Sequence, residues 1–369
     1  MGERVLMKGN EAIAESAIRA GVQSYFGYPI TPQNEITAYM ARHMPAQGRT
    51  FIQAESEIAA INMVYGAASA GERSMTSSSG PGISLKQEGI SFLAGAQLPA
   101  VIVNIMRGGP GLGNIAPSQA DYFQACKGGG HGDYHLVVYA PASVQEAADL
   151  TIRAFDVADR YRNPVMILGD AILGQMMEPV ALSDSVPNPP AKPWALGGKR
   201  NGRPPNVINS LSLDEGVVEE WNWILKAKYD RIREAEGMVE ALHCEDADLT
   251  LVAYGTSSRI CKEVQQQARA KGLKIGLIRP ITLWPFPYKA IARASLKTRE
   301  FLVVEMSLGQ MIEDVKLSVM DRAALHFQGR PGGGVPREDD IMEIIEHVLV
   351  RKRVGQVTTR GSVVDWGIS

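Results

Sequence analysis

Two runs in this chain, PAVIVNIM (Pro99–Met106) and NPVMILGD (Asn163–Asp170), are apolar almost throughout and do not alternate with polar residues. A strand with one wet face alternates. One that does not is buried on both faces, as in a parallel sheet covered by helices. Helical patterns separate the strand-like segments. NEAIAESAIRAG reads as a helix with Asn10 as N-cap and Gly21 as stop, and QSYFGY follows as a short strand. SEIAAINMVYGAASAG is a helix rich in small residues, RSMTSS a strand, and SVQEAADLTIRAFDVADRYR a long amphipathic helix. This alternation to about residue 180 predicts a doubly wound α/β sheet.

From 183 to 206 the composition turns to Pro, Gly and Lys (SDSVPNPPAKPWALGGKRNGRPPN), and a charged helical stretch, GVVEEWNWILKAKYDRIREAEGMVEAL, comes next. A second α/β unit begins at ADLTLVAYGTSS and closes with EDDIMEIIEHVLV. The expected organisation is therefore a first domain at 1–182, a linker with a helical segment at 183–245, a second α/β domain at 246–350, and a tail at 351–369. The tail has no periodicity and suits a place on a neighbouring chain. A length of 369 residues accommodates two or three domains.

A formal net charge of −2 gives no general attraction to nucleic acid or to an anionic membrane. MGERVLMKGNEA lacks the apolar run of a signal peptide, and no apolar segment is long enough for a transmembrane helix. Cys126, Cys244 and Cys261 are scattered with no CxxC, so neither a disulfide framework nor a self-contained zinc or iron–sulfur site is expected. The reducing cytoplasm is the expected compartment.

Five features carry candidate chemistry. YFGYPITPQNE places Thr31 between Pro29 and Pro32; each proline fixes its own φ and pushes its predecessor toward extended geometry, so the loop is stiff. In QAESEIAA, Glu55 and Glu57 stand at the start of a helix. Acids are common there because of the helix dipole, yet Glu57 is followed by Ile58, Ala59, Ala60 and Ile61, and apolar surroundings would raise its pKa. TSSSGPGISL offers hydroxyls and backbone N–H groups but is not a P-loop. Arg107 ends the most apolar strand, where open α/β sheets bind ligands and where a guanidinium suits a carboxylate. GRPGGGVPRED (Gly329–Asp339) reads by itself as a mobile loop, and His131 and His135 complete no metal-ligand set.

Taken together, GNEAIAESAIRAG, YFGYPITP, QAESEIAAINMVYGAASAG, TSSSGPGISL and NIMRGGPG resemble the α-type subunit of 2-oxoacid:ferredoxin oxidoreductases. Within that family the chain most resembles the 2-oxoisovalerate (branched-chain) type, with the 2-oxoglutarate type as a near relative. VAYGTSS, RPITLWPFP and VVEMSLGQM are similar to the family's transketolase-C-like domain.

The resemblance implies a pyrimidine-binding domain for thiamine diphosphate followed by a transketolase-C-like domain. It implies that a protonated Glu57 hydrogen-bonds N1′ of the cofactor and favours the imino tautomer, which takes the proton from thiazolium C2. It implies that Arg107 holds the substrate carboxylate and that Thr31 sets a hydroxyl beside cofactor and substrate. Pro29, Ile30, Ser79 and Gly80 would line the cofactor. The implied reaction is oxidative decarboxylation: electrons pass to iron–sulfur clusters and ferredoxin, and coenzyme A takes the acyl group.

The Gly-Asp-Gly element of the diphosphate half is missing, since only HGDY and LGDA occur, and so is a cluster-binding cysteine set. The resemblance therefore implies a β-type partner holding Mg²⁺ and diphosphate. It also implies [4Fe-4S] clusters on partner subunits, with a small ferredoxin-like iron–sulfur subunit and a γ-type subunit completing the complex. The alternatives are a 2-oxoglutarate-specific enzyme, a non-catalytic scaffold subunit, and half of a non-oxidative thiamine decarboxylase. Gly108–Cys126 contains no Lys or Arg, which favours a monocarboxylate with an apolar side chain; Leu112, Ile115 and Ala116 are expected to line its pocket.

Overall fold

The computed structural model describes residues 4–183, 187–198, 204–353 and 363–365. Its first sheet runs, edge to edge, through strands Thr282–Trp284, Val137–Tyr139, Pro164–Asp170, Ala100–Met106, Ser74–Ser78, Ser24–Gly27 and Thr50–Gln53. All neighbours are parallel except the first pair. Both unalternating runs are central strands, buried along their whole length. Helices Gly9–Arg19, Asn34–His43 and Val144–Tyr161 pack together as one group, and Glu57–Ser69 packs on Pro81–Gly95 as another. This is the expected doubly wound arrangement.

Local chemistry sets the helix ends. The Ser56 hydroxyl accepts from the Ala59 N–H at 3.2 Å, and the Ser143 hydroxyl from the Glu146 N–H at 3.1 Å. Gly21, at φ +80°, closes the first helix as expected. Asn10 does not cap that helix, which already begins at Gly9; its side chain donates instead to the Pro32 carbonyl and to Glu35, both at 2.8 Å.

The second sheet runs Val363–Asp365, Ala324–Gly329, Glu300–Glu305, Leu249–Val252, Ile275–Pro280 and Val239–Leu242, parallel except for the last strand. Helix Val217–Ala235 inserts Leu225, Tyr229 and Ile232 into the core beneath the first sheet, and Trp221 donates to the Gly95 carbonyl at 2.7 Å. Of the Pro/Gly-rich stretch, 184–186 and 199–203 lie outside the described residues. The same holds for most of the tail, of which Val363–Asp365 pairs with Leu325–Phe327 at the edge of the second sheet.

The two units are joined in several places. Strand Thr282–Trp284, from the second half of the sequence, completes the edge of the first sheet. Buried Gln119 donates to the Tyr254 carbonyl at 2.8 Å and accepts from the Ser257 hydroxyl at 2.8 Å and the Met306 N–H at 3.0 Å. Arg279 forms a bidentate pair with Glu146 at 2.7 and 2.8 Å.

Candidate active site

Strand order dictates where a site can form. From Ser24–Gly27 the chain runs outward to Thr50–Gln53, then returns to Ser74–Ser78 on the other side. Loops leaving Ser24–Gly27 and Ser74–Ser78 therefore diverge and open a crevice at the carboxyl ends of the strands, the position where such sheets bind ligands. Four neighbouring strands deliver the sequence candidates there. Thr50–Gln53 leads to Glu57, Ser24–Gly27 to Pro29, Ile30 and Thr31, Ser74–Ser78 to Ser79 and Gly80, and Ala100–Met106 to Arg107.

Glu57 is 6% exposed, whereas Glu55 is exposed, so the two acids do not share an environment. The Glu57 carboxyl accepts no hydrogen bond among the described residues. It lies against Gly82: a Cβ there would stand 2.6 Å from Glu57 Oε1 and 2.1 Å from Ser78 Oγ, so only glycine leaves room for it. Its setting is not simply apolar. Lys86, fully buried one turn beyond Gly82, donates to the Glu57 backbone carbonyl at 3.4 Å. Burial pushes the Lys86 ammonium down to about 8, against the pull of the Glu57 carboxylate.

Arg107 is buried beside Gly80, whose φ of +44° favours glycine and where a Cβ would touch the Arg107 side chain at 3.4 Å. Arg107 Nη1 donates to the Thr31 carbonyl at 3.0 Å and Nη2 to the Leu112 carbonyl at 2.9 Å. Of the five guanidinium N–H donors, these use two, and the buried Nε–H has no partner among the described residues. Thr31 thus meets Arg107 through its backbone. Its hydroxyl faces out and accepts from Asn34 at 3.3 Å.

Arg107 and Gly80 line a cavity of about 630 Å³ together with Asp121, Ser307, Gln310 and Gly332. Burial pushes the Asp121 carboxyl up, offset by the Asn104 amide, which donates to it at 2.9 Å, and by Arg107. The glycine-rich loop is therefore part of the site and not a free loop: the Asn114 amide donates to the Gly332 carbonyl at 2.9 Å. Leu112 and Ile115 do not line the cavity and stand 80% and 62% exposed, whereas Leu308, 84% exposed, is part of its lining.

Sequence reasoning missed the support behind the YPITP loop. The Pro32 carbonyl is held by Asn10 and by Gln175 at 3.1 Å, and Glu35 collects Asn10, Gln175 and Lys8. Buried Gln33 accepts from the Ser77 hydroxyl at 2.5 Å. Only three-dimensional proximity joins residues so far apart in sequence. Lys86 had a legible signal, as a lone cation within an otherwise uncharged helical face.

The residues present fit thiamine diphosphate on its pyrimidine side. The hydroxyls of Ser78 and Ser79 are buried without partners next to an unpaired carboxyl, which suits a polar heteroaromatic ring. Among the described residues, no group of three or more His, Cys, Asp or Glu is placed to hold a metal ion.

Comparison with known proteins decides the lineage. Residues 15–228 match the family "Pyruvate flavodoxin/ferredoxin oxidoreductase, thiamine diP-bdg", and residues 247–341 match "Pyruvate:ferredoxin oxidoreductase core domain II". The chain belongs to the 2-oxoacid:ferredoxin oxidoreductase family. It carries the family's thiamine-diphosphate-binding domain, and the family catalyses CoA-acylating oxidative decarboxylation. It is 53% identical to ketoisovalerate oxidoreductase subunit VorB of Methanothermobacter marburgensis over 344 residues, covering 93% of this chain and 97% of that one. It is 37% identical to 2-oxoglutarate synthase subunit KorA of Methanothermobacter thermautotrophicus over 372 residues, covering 94% and 99%. These relatives are subunits of multi-subunit complexes.

Among solved structures, the 2-oxoglutarate:ferredoxin oxidoreductase from Magnetococcus marinus superposes with a TM-score of 0.85 at 25% identity. The match covers 94% of this chain and 65% of that longer one. A split-gene transketolase, at TM-score 0.59 and 13% identity, shares the fold alone.

Proposed function

We propose that this chain is the α-type subunit of a 2-oxoacid:ferredoxin oxidoreductase. In that complex it forms the pyrimidine side of the thiamine diphosphate site and the carboxylate clamp for a branched-chain 2-oxo acid such as 2-oxoisovalerate. The observation that carries the reading is the convergence of an unpaired buried carboxyl (Glu57) and an incompletely used buried guanidinium (Arg107) at one strand-end crevice. Arg107 Nε is buried without a partner among the described residues, and leaving such a group unsatisfied costs about 1–3 kcal/mol, a cost that a ligand removes.

Bound thiamine diphosphate supplies the carbanion chemistry of decarboxylation. Glu57 holds a proton at the pyrimidine edge, with Gly82 making space for it. Ser79, Gly80, Pro29 and Ile30 shape the pocket wall, and the rigid loop holds the Thr31 backbone carbonyl against Arg107, while the Thr31 hydroxyl stays exposed beside Asn34. Arg107 uses its spare donors for the substrate carboxylate.

Among the described residues that line its cavity, Arg107 is the only Lys or Arg, and Asp121 shares the cavity, which disfavours a second substrate carboxylate there. Identity to the VorB relative, 53% against 37% and 41% for two KorA relatives, supports the same preference. The exposed apolar side chains of Leu112, Ile115 and Leu308 suit a covering subunit. On this reading a β-type subunit brings Mg²⁺ and the diphosphate site, a small ferredoxin-like subunit and a γ-type subunit carry or support the [4Fe-4S] clusters, and the complex works in the cytoplasm. No helix among the described residues is long and apolar enough to cross a membrane.

The test is viologen reduction by the purified complex with CoA and each 2-oxo acid. We expect kcat/KM to fall from 2-oxoisovalerate to pyruvate to 2-oxoglutarate. A preference for 2-oxoglutarate would overturn the substrate assignment, and tight Mg²⁺-dependent cofactor binding by the isolated chain would overturn the shared site.

A further inference from the structure

Gln310 follows Gly309, which stands at φ +100°, in the bend between strand Glu300–Glu305 and helix Met311–Val319. It lines the cavity of Arg107 and Asp121, although it comes from the second unit. Its side chain makes two hydrogen bonds to the backbone of the first unit. Nε2 donates to the Ala120 carbonyl at 2.7 Å, and Oε1 accepts from the Phe123 N–H at 2.8 Å. The Phe123 N–H lies in the first turn of the short helix Tyr122–Cys126, where a donor has no partner within its own helix. The two bonded peptide groups bracket Asp121, so the amide holds the turn that carries it.

This segment is attached to the second unit without Gln310. Gln119 accepts from the Met306 N–H at 3.0 Å, and Asp314 accepts from the Tyr122 hydroxyl and the Lys127 ammonium, both at 2.6 Å. What Gln310 adds is a fixed direction for the Asp121 side chain. The Asp121 carboxyl accepts from the Asn104 amide at 2.9 Å and forms no ion pair with Arg107 among the described residues, although the two share one cavity. A carboxylate that turned to Arg107 would take the guanidinium donors that a substrate carboxylate needs.

We propose that Gln310 is a positioning residue that holds Asp121 on Asn104 and off Arg107, and so keeps the Arg107 donors open for the 2-oxo acid. The proposal rests on the reading of Arg107 given above. It gives the second unit a part in substrate binding that is exercised through the loop of the first.

The experiment is steady-state viologen reduction by the assembled complex, with 2-oxoisovalerate varied, for wild type, Gln310→Met, Asp121→Asn and the double variant. Methionine fills the same space without either hydrogen bond. Gln310→Met should raise KM for the 2-oxo acid about tenfold and leave kcat within about twofold, because the competing carboxylate acts on binding. In the Asp121→Asn background no carboxylate competes, so Gln310→Met should leave KM where Asp121→Asn alone puts it. An equal rise of KM in both backgrounds, or an unchanged KM, would make Gln310 merely structural and overturn the proposal. A rise confined to the KM for coenzyme A would overturn it as well. Should Gln310→Met fail to assemble, Gln310→Asn decides, since its shorter amide cannot span both peptide groups. It should raise KM about threefold and lose that effect in the Asp121→Asn background, and a wild-type KM overturns the proposal. Arg107→Leu, measured alongside, keeps the two readings apart. If it retains wild-type kinetics, the reading of Arg107 itself fails, whatever Gln310 does.

Discussion

Two buried glutamates stand beyond strand ends in the two halves of the molecule, and they are treated in opposite ways. Glu305, ending a central strand of the second sheet, is fully buried and accepts from the N–H groups of Gln310, Met311 and Ile312 and from the Ser307 hydroxyl, at 2.9 to 3.1 Å. It ties the strand to the helix Met311–Val319. Glu57 is nearly as buried, accepts nothing on its carboxyl, and has Gly82 in front of it. Fold-building carboxylates are hydrogen-bonded to completion. One that makes no hydrogen bond within the fold is free to meet a ligand.

The largest test of this contrast is Glu57→Gln. It keeps the shape and a donor but removes the acidic proton, and loss of a general acid–base group costs about 10²–10⁴-fold in rate. We expect turnover in the assembled complex to fall by that factor with the melting temperature unchanged. A loss below tenfold would reduce Glu57 to an ordinary helix-end acid.

Arg107→Leu should come next, with KM raised and kcat lowered together to a combined loss of about 10²-fold, because the clamp both binds and orients. Wild-type kinetics in this variant would place the substrate elsewhere. Gly82→Ala should follow. Its Cβ would clash with Glu57 Oε1 and Ser78 Oγ, so Glu57 must move, and we expect about a tenfold loss of kcat with little change in KM for the 2-oxo acid. An unaffected kcat would show that the position of Glu57 is not critical.

The same contrast explains what could be read without coordinates. The parallel sheet was legible because Ala100–Met106 and Pro164–Asp170 are buried on both faces and have the composition for it. Glu57, Thr31 and Arg107 were legible as candidates because each follows a strand, and strand order then brings them to one crevice. Long-range partners were not legible: the hold of Asn10 and Gln175 on the Pro32 carbonyl, and the approach of Gly332 to Asn114. Periodicity encodes which face of an element is buried but not which side chain from a distant element meets it. Leu112 and Ile115 failed for the same reason: their apolar character is real, but it faces outward.

Glu305→Gln should have the smallest effect on chemistry and a clear one on the fold. An amide nitrogen would replace an oxygen that accepts from backbone N–H groups, and each donor left unpaired costs about 1–3 kcal/mol. We expect a lower melting temperature and unchanged turnover per folded complex, the reverse of Glu57→Gln. The pH dependence carries a sign. Burial pushes the Glu305 carboxyl up despite its hydrogen bonds, so the native state binds that proton more tightly than the unfolded chain. Its contribution to stability is then fully present below the ordinary carboxyl range and is lost as pH rises through the raised value. Glutamine does not titrate, so the stability deficit of the variant should be largest in acid and narrow as pH rises. Thermal melts of wild type and variant from pH 4 to 8 would show this. A deficit that widens with pH would mean that the hydrogen bonds outweigh burial and hold Glu305 as a carboxylate.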